Sequence, residues 1–122
     1  MTDETLEPFA AARMVDAHTL PLEFEAVPAE HEPTEGLETG WTTLGEYAGA
    51  ELGVWQISQG EMRETETEEI FVVVSGEATI DFIEPAHPSI KVHAGSIVRL
   101  ETGMRTYWTV HTPALRKVAL IP

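Results

Sequence analysis

The sequence predicts an all-β fold, a sandwich or barrel of short strands carrying an extended N-terminal arm, on three observations. From Trp41 onward, short runs rich in Val, Ile, Thr and aromatic residues follow one another along the chain. Turn signals separate them at Ser75-Gly76, Glu84 to Pro88, Ala94-Gly95, Thr102-Gly103 and Thr112-Pro113. No run between them has the 3.6-residue apolar period of an amphipathic helix, and many short, evenly spaced strands argue a sandwich or barrel.

The arm comes first, as residues 1–40. It holds ten Asp or Glu against the single Arg13, and Pro8, Pro21, Pro28 and Pro33 recur through it. Proline removes backbone donors and stops helices, so the segment is an extended arm rather than a second domain. Within it, "PFAAARMVDA" allows one helical turn and "LPLEFEAV" a short strand. Residues 41–122 form the barrel domain, with strands in "WTTLGEY", "AELGVWQIS", "EIFVVVSG", "EATIDFI", "IKVHAG", "SIVRLETG", "TYWTVHT" and "LRKVALIP". Side chains alternate faces along a strand, so Phe71 and Val73 share one face and Ile70, Val72 and Val74 the other. Both faces are apolar, which predicts that the second lies under another sheet, the arm or a second subunit. A homodimer is the expected assembly.

Bulk properties narrow the function. The chain has 122 residues, long enough for one domain with a core, and a formal net charge of −14. Such a surface repels phosphate backbones and anionic membranes, so neither nucleic acid nor membrane is an expected partner. With no cysteine, thiolate metal sites and thiol catalysis are excluded. The N-terminus lacks the basic start and apolar run of a signal peptide, and a cytoplasmic protein is expected.

The stretch Glu69 to Gly76, "EIFVVVSG", and the stretch Gly95 to Gly103, "GSIVRLETG", carry a recognisable pattern. With the strands around them, the chain resembles the cupin superfamily, whose motifs run G-x5-H-x-H-x3-4-E-x6-G and G-x5-P-x-G-x2-H-x3-N. The tryptophan five residues past Gly103 resembles the subgroup of ureidoglycine aminohydrolase and ethanolamine-utilisation-like domains. The resemblance covers about residues 41–122 and implies a double-stranded β-helix, or jelly-roll, barrel. It places glycines where tight inter-strand turns need positive φ.

Superfamily members hold a divalent metal through two histidines and a glutamate of the first motif and a histidine of the second. Counted back from Glu69 with the shorter spacing, Arg63 and Thr65 stand at the first two positions, and Thr106 stands at the last. Glu101 and Val110 replace the second motif's Pro and Asn. Only Glu69 remains, and one carboxylate facing an arginine does not hold a divalent ion, so no metal cofactor is expected. With the longer spacing, Met62 and Glu64 take the two positions, and a hard cation would then bind through Glu64 and Glu69.

The site residues implied by this reading are Arg63, Thr65, Glu69 and Thr106 inside the barrel, with Trp55, Tyr107 and Trp108 as walls and Phe71 as core. Arg63 and Glu69 either form a buried ion pair in the metal's place or recognise a ligand. In the latter case Arg63 grips a carboxylate and Glu69 serves as acceptor or general base. Five of the nine residues from Glu61 to Glu69 are glutamates, and alternation turns Glu64, Glu66 and Glu68 away from Glu69 toward the surface. His93 and His111 are secondary pocket candidates. Three functions follow: a cupin binding a small polar metabolite, an aminohydrolase-like enzyme acting on a nitrogenous metabolite such as a ureide, and an accessory protein with a vestigial pocket.

Overall fold

The computed structural model describes residues 6–122; the first five residues of the arm lie outside the described residues. Among the described residues eight strands occur in chain order: β1 Phe24–Ala26, β2 Glu38–Tyr47, β3 Ala50–Thr65, β4 Glu69–Ser75, β5 Ala78–Glu84, β6 His87–Val92, β7 Ile97–Leu100 and β8 Arg105–Ile121. All named pairings are antiparallel. Among the described residues no helix is long and apolar enough to cross a membrane.

Two long strands organise the barrel. β3 and β8 pair along nearly their whole length, from Glu51↔Ile121 to Thr65↔Arg105, through an irregularity between Ser58 and Gly60. The last part of β8 also pairs with β4, and β4 with β7. The first part of β8 pairs instead with β5, and β5 with β6. Thr112-Pro113, expected to be a turn, instead lies within one continuous strand, where β8 changes its second partner from β5 to β4. The halves close on a shared core. Trp108, from the first part of β8, packs against Trp55 of β3 and Phe71 of β4 at ring-centroid distances of 5.6 and 6.0 Å. Trp108 and Phe71 are almost wholly buried, and burying a large apolar side chain contributes roughly 1.5–3 kcal/mol. This is the barrel that the strand pattern predicts, in the jelly-roll form that the cupin resemblance implies.

One glycine shows why the β4–β5 turn needs it. Gly76 has φ +90°, and a Cβ there would lie 2.2 Å from the carbonyl oxygen of Ala114. Only a residue without a side chain fits both the left-handed backbone and that close approach.

The arm is extended, as its prolines require, and is tied down at several points. Phe9 donates its backbone N–H to Glu46 O, and Arg13 donates to Leu44 O. β1 adds to the edge of β2 at Phe24↔Gly40, a shorter strand than "LPLEFEAV" suggests. The "PFAAARMVDA" segment forms a turn and no helix, and among the described residues the one helical turn lies later, a 3₁₀ turn at Ala29–His31. Arg116 is the main anchor: its guanidinium donates to Gln56 Oε1 (2.8 Å) and to the carbonyls of Ala17 (2.9 Å) and Leu20 (2.7 Å). His18 reaches Val74 O at 3.1 Å.

Within one chain the outer face of β4 is only half covered. Phe71 and Val73 point into the core, while Ile70 is exposed and, on the neighbouring edge strand, Ile97 is 74% exposed.

Candidate functional site

The site lies at the barrel mouth, where β3 ends and β4 begins. β3 stops at Thr65, and residues 66–68 cross against the turn before β8. There Glu66 N–H donates to Met104 O, Gly103 N–H to Glu66 O, and Glu68 N–H to Thr102 Oγ1. This crossing breaks the alternation. Met62 and Glu64 face inward at the end of β3, Glu66 turns inward from the crossing, and Glu69 points inward at the start of β4. The longer motif spacing is therefore the one the geometry matches.

Several placements expected from alternation change accordingly. Arg63 lies outside the barrel, nearly half exposed, with its guanidinium 3.2 Å from Glu32 and 5.5 Å from the Tyr107 ring. It makes no pair with Glu69. Tyr107 shares that outer face and donates its hydroxyl to Glu61, so it is not a pocket wall. Thr65 is exposed at the rim, bordering both the barrel cavity and an outer groove under the 3₁₀ turn. Trp55, Trp108 and Glu69 face the cavity as the sequence reading puts them, while Thr106 is buried against Glu66 and borders the outer groove rather than the cavity. His93 and His111 border a separate cavity between β5, β6 and β8, which shares no residue with the barrel mouth.

Two buried polar centres were not foreseen. The first is Lys117 on β8, whose Nζ donates to Glu69 Oε1 at 3.0 Å, with both side chains less than a tenth exposed. The ammonium also lies 4.1 Å from the Phe71 ring centroid, 4.5 Å from Trp55 and 5.3 Å from Trp108. A cation held by aromatic faces and one carboxylate is stabilised without water. Its sequence signal is alternation within "LRKVALIP": Lys117 shares parity with Leu115, Ala119 and Ile121, so a lysine stands in a core-facing row.

The second centre is Glu66, which was expected at the surface. Its Oε2 accepts hydrogen bonds from Thr106 Oγ1 (2.6 Å) and Trp108 Nε1 (3.1 Å). Burial holds the Glu66 carboxyl above the ordinary carboxylate range, against the opposing effect of those two donors and of Lys117. Glu64 is raised too, by burial first and then by the charge of Glu66, partly offset by His31 and other neighbours. Trp41, Trp55, Met62, Glu66, Glu69 and Lys117 are among the residues enclosing a cavity of about 200 Å³.

The model of the EutQ-like cupin domain matches residues 44–119. The chain belongs to the EutQ-like cupin family. The match runs from the last residues of β2 to Ala119 in β8 and leaves out the arm. No curated protein sequence matches the chain. Among solved structures, this EutQ-like cupin is similar to a protein of unknown function from Rhizobium leguminosarum bv. viciae 3841. The TM-score is 0.60 at 15% identity, covering 69% of this chain and 81% of the other. It is also similar to a putative ethanolamine utilization protein Q from Salmonella typhimurium LT2 (TM-score 0.53, 20% identity, 67% of each chain). The EutQ protein of Clostridium difficile gives a TM-score of 0.58 at 13% identity, covering 70% of this chain and 68% of that one. Identities this low support the shared fold alone.

The residues of this EutQ-like cupin do not fit the divalent metal that the superfamily pattern implies. At the four ligand positions stand Met62, Glu64, Glu69 and Thr106, with no imidazole among them. Glu69 is already paired with an ammonium, and Thr106 is committed to Glu66. Among the described residues no group of three or more His, Asp or Glu is arranged to hold a metal ion.

Proposed function

We propose that this EutQ-like cupin binds a small polar, nitrogen-containing metabolite at the barrel mouth without a metal ion. The observation that carries this reading is the set of buried Glu66, Glu69 and Lys117 around one small cavity walled by tryptophan. Charged groups are costly to bury, and a cavity with a few convergent polar groups among aromatic walls is the usual make-up of a small-ligand site. At about 200 Å³ the cavity is smaller than the roughly 300–1,000 Å³ typical of drug-sized ligands, which favours a small metabolite. Carboxyl groups in excess over the single ammonium favour a ligand rich in N–H donors. Arg63, facing outward, no longer supports a carboxylate clamp.

All three tryptophans of the chain border the cavity, so their fluorescence reads occupancy directly. A panel of ureides, amides, amines and amino acids is expected to give at least one saturable fluorescence change that Glu69→Gln weakens. A panel silent throughout would favour the accessory reading, in which the Lys117–Glu69 pair simply fills the barrel.

One observation favours an enzymatic variant of the same site. Glu66, whose burial favours the protonated form, and Glu69, paired with an ammonium, form two carboxyl groups in different environments, the arrangement of an acid and a base. Turnover of a ureide that Glu69→Gln abolishes in a folded protein would select the aminohydrolase-like function.

The exposed Ile70 and Ile97 support a homodimer through the β4–β7 face. Light scattering is expected to give a dimer that Ile97→Glu converts to a monomer. The net charge of −14 supports partners other than nucleic acid or anionic membranes.

A further inference from the structure

The disagreement between the cupin metal pattern and these residues has a specific form. A cation does stand against Glu69, the one retained motif ligand, and it is the side chain of Lys117. An ammonium has three N–H donors. Among the described residues Glu69 accepts the only hydrogen bond from Lys117, and the rings of Phe71, Trp55 and Trp108 surround the rest of the group. Lys117 is itself part of the cavity wall, alongside Glu64, Glu66 and Thr67. Aromatic faces attract a cation but give its N–H groups no strong acceptor, so an oxygen entering the cavity would meet an under-used donor in a poorly solvated place.

We propose that the Lys117 ammonium is the built-in cation of this site, held by Glu69, and that it takes a carbonyl or carboxylate oxygen of the ligand. This inference rests on the barrel-mouth reading and deepens it. Glu66 then serves the other end of the ligand: its Oε2 is occupied by Thr106 and Trp108, which leaves Oε1 for an N–H group. The ligand class follows as a compact molecule with an acceptor oxygen and a nitrogen donor close together, as in an amide, a ureide or a small amino acid.

The chain offers a clean readout, because Lys91 and Lys117 are its only lysines and Lys91 is exposed on β6. Protein labelled with ¹⁵N-lysine is titrated with acetamide, and separately with acetate, while the side-chain ammonium signals and tryptophan fluorescence are recorded. The expected result is movement of the Lys117 signal, with Lys91 still, in step with the fluorescence change. Lys117→Met, checked for folding by circular dichroism, should weaken the probe that binds by tenfold or more. Fluorescence binding with an unmoved Lys117 signal overturns this inference and leaves the pocket reading standing. No response from tryptophan or Lys117, up to concentrations that disturb Lys91, overturns both. If Lys117→Met does not fold, the titration of the native protein decides alone.

Discussion

Arg116 and Lys117 are neighbours on one strand, both cationic and both buried, yet they belong to opposite sides of the barrel wall. Arg116 faces outward beneath the arm, beside Val54, which is wholly buried but outside the main core cluster. Its planar fork joins Gln56 to two arm carbonyls, a task suited to a guanidinium with several fixed donors. Lys117 faces inward, where a single point charge meets one carboxylate and three rings. One cation fastens the arm to the barrel; the other sets the electrostatics of the cavity. The position of a charge relative to the barrel wall, more than its sign, decides what it does.

Breaking the inner cation should have the largest effect. Lys117→Met leaves Glu69 buried without its partner, and destabilisation of about 3–5 kcal/mol is expected in denaturant melts. The double variant Glu69→Gln/Lys117→Met should recover most of that loss, since it removes both charges at once. A double-mutant cycle that is simply additive would mean the two groups do not depend on each other.

Breaking the outer cation should cost less and act elsewhere. Arg116→Ala removes three charge-assisted hydrogen bonds that rim water can partly replace, with an expected loss of about 2 kcal/mol. Limited proteolysis should then cut the arm near residues 13–20 while the barrel survives. Equal protection of the arm in both proteins would show that Arg116 is not its anchor.

Glu66 sharpens the comparison through pH. Its folded pKa is raised above its unfolded value, so between the two values the folded protein binds the extra proton. Stability from this group is complete below the unfolded value and falls as pH rises through the folded one. Wild-type melts should therefore lose stability on going upward from the ordinary carboxylate range, and Glu66→Gln should flatten that part of the profile. Glu64 contributes in the same direction, so the slope should shrink rather than vanish.

The smallest effect belongs to Arg63. Its contact with Glu32 is a surface ion pair, and Arg63→Ala is expected to change stability by less than about 1 kcal/mol. Ligand affinity at the barrel mouth should not move. A large loss of binding would restore Arg63 to the site.

These contrasts also mark what was readable in the sequence. The strand pattern, the turn glycines and the inward placement of Glu69, Trp55 and Trp108 follow from alternation and motif spacing. The region before Glu69 does not, because alternation holds only while a strand is regular. The crossing at residues 66–68 puts Glu64 and Glu69 on the same side although five positions separate them, and counting by twos reverses every assignment behind it. Thus Arg63 exchanges the interior for the surface, and Glu66 the surface for the interior. Nothing in the glutamate-rich run announces that crossing, because its cause is hydrogen bonding to the distant turn at residues 102–104. Lys117 was legible, as a lysine in a core-facing row, although no metal motif calls attention to it.

We propose that the Lys117 ammonium beside Glu69 stands at the barrel mouth in place of a metal ion. Elemental mass spectrometry of untagged protein, purified without chelator, tests it most directly. Transition metal at far below one equivalent, unchanged after incubation with Mn²⁺ and desalting, is the result predicted for a site whose glutamate is held by Lys117. Metal near one equivalent, lost in Glu64→Gln or Glu69→Gln, would contradict it and make the carboxylates the site.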